Sequence, residues 1–190
     1  ALREFRRAGV ALPPDKRKGY GELRQSLSKL GSTFGETVLD ATSAWSKQVT
    51  AEQLRGLPET AMASAKQAAV AVGQQDYLIN LEFPSLSPVL NYCDDRQLRE
   101  TIYTAHCTRA SELGPNGGQW DNTALITDTL QLRSELSQLL GFENYAELSL
   151  ATKMAESAAS VVDFLQQLAE QSLSQAKEEW RELVDFARND

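Results

Sequence analysis

One apolar stripe at helical spacing constrains the fold of this chain more than any other feature of its sequence. The members of the stripe are Tyr20, Leu23, Leu27, Leu30, Phe34, Val38, Ala41 and Trp45, each three or four residues from the next. Because an α-helix completes a turn in about 3.6 residues, the stripe predicts one amphipathic helix from Asp15 to Trp45. Pro13 and Pro14 suit its start. Gly31 and Gly35 inside it favour either close approach by another helix or a local kink.

Helical periodicity continues through most of the remaining sequence, with capping residues at the segment ends. Further helices are predicted over 59–72 with Gly73 as its cap, over 88–92 as a short turn or helix, over 96–111 after Asp94 or Asp95, from 121 or 122 to the cap Gly141, over 144–152, and from about 157 onward. The last of these has its own stripe, formed by Val161, Leu165, Leu168, Ala176, Trp180, Leu183 and Ala187. The pattern therefore predicts a mainly α, multi-helical fold with long amphipathic helices.

The helical period fails in two short segments, at about 46–50 and about 76–82. The second segment is rich in aromatic and aliphatic residues, which favour strands, and it is followed by Phe83-Pro84. Phe83-Pro84 stops this run, and because the residue before a proline disfavours helix, the segment is better interpreted as a strand. The two segments predict a minor two-stranded β element. Two strands alone are marginally stable, so helices must cover one face of this element.

The charge balance argues against a nucleic-acid partner, and the length of the apolar runs argues against a membrane partner. The sequence has 19 Lys and Arg residues against 26 Asp and Glu residues, a net charge of -7, which is unfavourable for binding nucleic acid. The basic cluster comprises Arg3, Arg6, Arg7, Lys16, Arg17 and Lys18, and it is more typical of a solvated helix face. No apolar run approaches the length of a membrane span. We therefore expect neither a nucleic-acid partner nor a membrane partner.

The only histidine is His106, and no metal-ligand cluster surrounds it in the sequence. Cys107 is adjacent, but neighbours on a helix diverge by about 100°, so the pair is poorly placed to hold one ion. A partly buried structural histidine is the better interpretation. Two cysteines, Cys93 and Cys107, are too few for a disulfide framework. We expect a cytoplasmic protein in which both thiols are reduced and serve in packing. Asp94 and Asp95 would raise the pKa of the Cys93 thiol, which argues against a nucleophile.

A glycine-rich segment runs Gly114-Pro115-Asn116-Gly117-Gly118. It lacks the Gly-Lys-Ser/Thr ending of a phosphate loop, and it follows a predicted helix rather than a strand. We expect a flexible connection between helices, and contact with a ligand held by other segments stays open. The residues alone therefore assign no catalytic, metal-binding or substrate-binding position.

Several short stretches occur in an order that is similar to one enzyme family. They are FRRAGVAL at 5–12, VLDAT at 38–42, LPE at 57–59, FPSLSPV at 83–89, TRAS at 108–111, GPNGGQWDN at 114–122, LLGFENYA at 139–146 and LATKMAE at 150–156. In this order, and over nearly the whole chain, the set resembles the N-terminal half of the thimet oligopeptidase family of zinc metallopeptidases.

This resemblance implies a mostly helical enzyme that cleaves short peptides inside a channel between two lobes. In that family the zinc is held by both histidines of an H-E-x-x-H helix and by a distant glutamate. The glutamate between the histidines activates the metal-bound water. This chain contains no H-E-x-x-H, so no catalytic or metal-binding residue is carried over. The resemblance implies that residues 1–190 are a single helical fragment of the N-terminal lobe, with helices that continue past both ends.

The expected function is the scaffold and channel wall of a cytoplasmic zinc metalloendopeptidase, inactive by itself. The full-length enzyme would take zinc and short peptides, whereas this part would hold no zinc. An apolar surface that the other lobe would cover favours self-association. The alternative hypothesis is a stand-alone helical module that binds peptides or proteins without catalysis.

Overall fold

A computed structural model describes residues 2–189 of the chain, except for the side chain of Arg3. Within these residues the elements follow the order α1 (Leu2–Arg7), α2 (Pro14–Ser43), β1 (Ser46–Val49), α3 (Glu59–Ala71), β2 (Tyr77–Asn80), α4 (Phe83–Tyr92), α5 (Arg96–Thr108), α6 (Thr123–Leu139), α7 (Tyr145–Leu150) and α8 (Ala158–Asn189). The predicted mainly α fold with a minor two-stranded β element is confirmed. None of the helices over 2–189 combines the length and the apolar character that a membrane crossing requires.

The chain divides into two compact units. The first unit comprises Ala1–Arg24 and Leu132–Asp190, and the second comprises Gln25–Gln131. Helices α2 and α6 each contribute residues to both units. The expectation that residues 1–190 form a single fragment of one lobe stays a prediction.

The two strands lie in the second unit and pair antiparallel, with Ser46 opposite Asn80 and Val49 opposite Tyr77. Both are slightly shorter than predicted, ending at Val49 and Asn80. Helix α3 packs against β2 and so supplies the cover that a two-stranded sheet needs. The core of this unit is formed by Val49, Leu54, Ala65, Ile79, Leu81, Leu86, Val89, Cys93, Leu98, Ile102 and Ala105.

The start of α4 corrects the prediction for the segment after β2. The helix begins at Phe83, whereas the sequence predicted a short turn or helix over 88–92. Pro84 lies in the first turn, where a backbone N–H has no helical acceptor, so a proline there costs no hydrogen bond. Burial of Leu86 and Val89 against the core stabilises the helix, although Pro88 lies inside it. Pro84 therefore marks the beginning of this helix rather than a break.

Helix α2 confirms the apolar stripe but not the role predicted for its glycines. Most stripe residues are half-buried and Ala41 is fully buried, while Phe34 is 40% exposed. A methyl group built on Gly31 or Gly35 would meet nothing within 4 Å among the described atoms. The prediction that these glycines allow close approach by another helix is therefore wrong. The helix ends at Ser43, and Trp45 packs beyond it against the core of the second unit.

Most other helix ends follow the predicted capping residues. The Asp95 carboxylate accepts from the Leu98 N–H at 3.0 Å, and the Asn144 side chain accepts from the Glu147 N–H at 3.0 Å. Gly73 ends α3 with φ +76°. Helix α5 ends at Thr108 rather than at residue 111. The reason is local, because Arg109 and Ala110 leave the helical conformation and Ala110 has φ +55°.

Helix α8 contains no buried residue over the described part of the chain, although its apolar stripe has the predicted spacing. Eight of its large apolar side chains are at least half exposed, namely Val162, Phe164, Leu165, Leu168, Leu173, Trp180, Leu183 and Phe186. Amphipathic spacing therefore predicted the helix correctly, and the apolar face of α8 is not covered within residues 2–189.

Candidate functional site

A groove in the second unit runs along the outer face of α5 and has a volume of about 460 Å³. Trp45 forms one side, the helix contributes Thr101, Thr104 and Thr108, and Pro115 reaches the groove from the following loop. The Thr101 and Thr108 hydroxyls donate to carbonyl oxygens one turn earlier on the helix, at 2.8 and 2.7 Å. Their remaining lone pairs can accept hydrogen bonds from a ligand. The groove thus combines an aromatic side chain with polar acceptors.

A second hollow of about 500 Å³ lies on the same helix. Its lining includes Arg96, Arg99 and Tyr103, and Glu100 lines both hollows. The Arg99 guanidinium donates to the Cys93 carbonyl, which fixes the arginine side chain at the start of α5. The two hollows together, which we call the α5 face, present both charge signs and two aromatic rings. Such a surface can contact peptide side chains and the peptide backbone.

The loop between α5 and α6 is a series of hydrogen-bonded turns. Gly117 and Gly118 adopt φ +61° and +76°, which glycine reaches without steric cost. At the end of the loop, buried Asn122 donates its backbone N–H to the Ala110 carbonyl at 3.1 Å and its side-chain amide to the Phe34 carbonyl at 3.3 Å. The predicted inter-helix connection is confirmed, and its residue Pro115 lines the α5 face.

His106 is half-buried, as predicted for a structural histidine. Its Nδ1 atom is buried and has no hydrogen-bond partner in the described structure. Burial lowers the pKa of His106, and the nearby Arg109 charge lowers it further. Both effects favour the neutral imidazole.

The residues described here do not fit a zinc site. Over 2–189, no group of three His, Cys, Asp or Glu side chains is arranged to hold a metal ion. The thiol nearest to His106 in sequence is Cys107, which is exposed on the surface of α5. A zinc ion in a protein of this type would need ligands from other residues.

The two cysteines occupy different environments. Cys93 is buried in the core and its thiol lies 3.0 Å from the Gln53 carbonyl. Burial raises the pKa of the Cys93 thiol, and the charges of Asp95 and Asp94 add to this effect. The packing role predicted for Cys93 is confirmed. The same prediction for Cys107 is wrong, because it lies on the exposed side of α5, opposite the buried Ala105.

Nearly the whole chain is similar to known proteins. The profile described as "Peptidase family M3" matches residues 89–190. The chain is 50% identical over 189 residues to "Oligopeptidase A" of Salmonella typhimurium and to "Oligopeptidase A" of Escherichia coli, which covers 99% of this chain and 28% of each relative. It is 39% identical over 196 residues to "Probable cytosolic oligopeptidase A" of Arabidopsis thaliana, which covers 99% of this chain and 27% of the relative. The chain thus spans little more than a quarter of the length of these relatives.

Proposed function

Because this chain belongs to peptidase family M3, we propose that it is part of an oligopeptidase, an enzyme that hydrolyses short peptides. The observation that carries the proposal is the match to oligopeptidase A along 99% of the chain at 50% identity. The names of the relatives describe peptide hydrolysis by proteins more than three times as long. The activity of the whole protein is therefore inferred from the relatives and the motif order together.

Within that enzyme, we propose that this chain acts as scaffold and as channel wall, and that it is inactive alone. The α5 face supports this role, because its polar and aromatic lining suits contact with an extended peptide of varied sequence. Zinc belongs to the proposal for the whole enzyme, where it would supply Lewis acidity at the reacting carbonyl. The residues of this chain would position peptide rather than bind the metal. We propose a cytoplasmic location because the Arabidopsis relative is named a probable cytosolic oligopeptidase A.

A chimera tests the proposal directly. This chain would replace the 189-residue matching segment of the Escherichia coli relative, and hydrolysis of a short quenched peptide would be measured. We expect the chimera to be active and the isolated 190-residue chain, with added zinc, to be inactive. A folded but inactive chimera would argue against the shared role.

Two matched substitutions in the chimera test the α5 face. Thr104→Trp would fill the groove, so we expect KM to rise while kcat changes less. Thr127→Trp makes the same change at an exposed position on α6 and should leave both constants unchanged. Equal kcat and KM values for the two variants would show that the α5 face does not contact the peptide.

The uncovered apolar face of α8 also suits the alternative, a stand-alone helical module that binds peptides or proteins without catalysis. We propose that the isolated chain self-associates through this face. Sedimentation velocity should show oligomers that are lost in a Leu168→Glu, Trp180→Glu double variant. A wild-type chain that stays monomeric at high concentration would exclude this self-association.

A further inference from the structure

A cavity of about 250 Å³ in the first unit is lined by two guanidinium groups. Arg7 at the end of α1 and Arg24 on α2 contribute these groups, and Tyr20 on α2 also lines the wall. The remaining lining residues are apolar or aromatic, namely Ala8 after α1, Leu136 on α6, Leu140 just after α6, and Tyr145 and Leu148 on α7. The cavity therefore joins positive charge to a partly apolar enclosure.

The Arg7 guanidinium has an unused donor. Its Nη1 group donates to the Thr152 hydroxyl at 2.9 Å, while its Nε atom is buried and has no hydrogen-bond partner. The Arg7 carbonyl accepts from the Tyr20 hydroxyl at 3.0 Å, which ties the end of α1 to α2. Because the Nε atom has no exposed surface, a ligand in the cavity would be met by the Nη groups of the guanidinium.

The surrounding charges favour an anionic ligand. Arg24 adds a second positive group to the wall, and the Arg133 guanidinium lies over the ring of the lining residue Tyr145, 4.9 Å from its centroid. The nearby acid on α7, Glu147, accepts from the Ala158 N–H at 2.9 Å and so is engaged outside this wall. The summed charge of the groups named here is positive.

We propose that this cavity binds a small oxyanion between Arg7 and Arg24. A guanidinium presents a planar fork of N–H donors that matches two oxygens of a phosphate or a carboxylate. Two sources share this chemistry, a free phosphate-type ion and the carboxylate of a peptide. The inference is independent of the proposed peptidase function, because binding is measured without hydrolysis.

The test is a titration of the 190-residue chain with inorganic phosphate at constant ionic strength. Nitrogen–hydrogen correlation spectra would follow the arginine Nε–H signals, and the Arg7 signal is identified by its loss in Arg7→Lys. We expect that signal to move and to saturate at millimolar phosphate. Circular dichroism would verify that each variant is folded.

Two variants separate a built site from general charge. Arg24→Gln should weaken binding by about tenfold or more, the scale of one charge-assisted hydrogen bond. Arg6→Gln removes the same charge from an exposed position on α1 and should change the affinity by less than about twofold. Because Arg7 also holds Thr152, Arg24→Gln is the decisive variant.

An N-acetylated dipeptide and its C-terminal amide distinguish the two sources. Binding of the carboxylate form but not the amide supports a peptide source, and binding of phosphate alone supports a free ion. Absence of a saturable shift with both phosphate and the carboxylate would overturn the proposal. Equal weakening by Arg6→Gln and Arg24→Gln would also overturn it.

Discussion

Replacing Gly56 with alanine tests the geometry of the segment that joins β1 to α3. Gly56 has φ +89°, a conformation that residues with a Cβ rarely adopt. A Cβ built there would overlap the Tyr92 carbonyl oxygen and lie 2.9 Å from the Asp94 Oδ1 atom. The Asp94 N–H donates to the Arg55 carbonyl at 2.8 Å, so these two backbone segments are held together and cannot separate without breaking a hydrogen bond.

The expected cost is large for a single methyl group. The backbone conformation alone costs a residue other than glycine about 1–2 kcal/mol. Relieving an overlap with backbone adds about 1–3 kcal/mol, as for other overpacked sites. We expect Gly56→Ala to lower the free energy of unfolding by about 3 kcal/mol, a large share of the roughly 5–15 kcal/mol typical of a domain.

Gly31→Ala is the matched control, because the same substitution falls inside α2 with open space around the new methyl group. Alanine is the better helix former, so this variant should gain about 0.5–1 kcal/mol. Urea unfolding followed by circular dichroism measures both changes. A loss below about 0.5 kcal/mol for Gly56→Ala, or equal losses for the two variants, would refute the contact between these segments.

Three further outcomes are expected. Ellman's reagent should label Cys107 in the folded chain and Cys93 only after unfolding, and rapid labelling of both would contradict the burial of Cys93. Folding lowers the pKa of His106, so the folded chain favours the neutral imidazole. The contribution of His106 to the free energy of unfolding should be constant above the ordinary pKa of 6.5 and fall as the pH drops below it. Urea midpoints for wild type and His106→Gln over this pH range check the sign, since the variant should lack that decline. Asp95→Ala removes the acceptor for the Leu98 N–H and should cost about 1 kcal/mol in thermal unfolding, whereas an unchanged Tm would exclude the cap.

Local features of the fold could be predicted from the sequence because local physics decides them. Apolar spacing located α2, and side-chain acceptors or glycines located the ends of several helices. The ordered motifs also predicted the enzyme family, and that resemblance is confirmed. Residue counts showed that one histidine cannot form a zinc site of the H-E-x-x-H type.

Features that depend on distant packing could not be predicted in this way. A proline signals a helix start as readily as a break, and only burial of Leu86 and Val89 decides that α4 begins at Phe83. The exposure of Cys107 depends on which side of α5 meets the core. The cavity between Arg7 and Arg24 was missed because its wall includes residues more than 100 positions further along the chain, such as Leu136.

Peptide hydrolysis by the chimera that carries this chain in place of the matching segment of Escherichia coli oligopeptidase A tests most directly whether the chain shares the role of that segment. We expect a kcat/KM within about tenfold of the parent enzyme, a difference of about 1.4 kcal/mol in transition-state stabilisation. We expect no hydrolysis by the 190-residue chain alone. A folded chimera without activity, or peptidase activity that purifies with the isolated chain, would refute the proposed role.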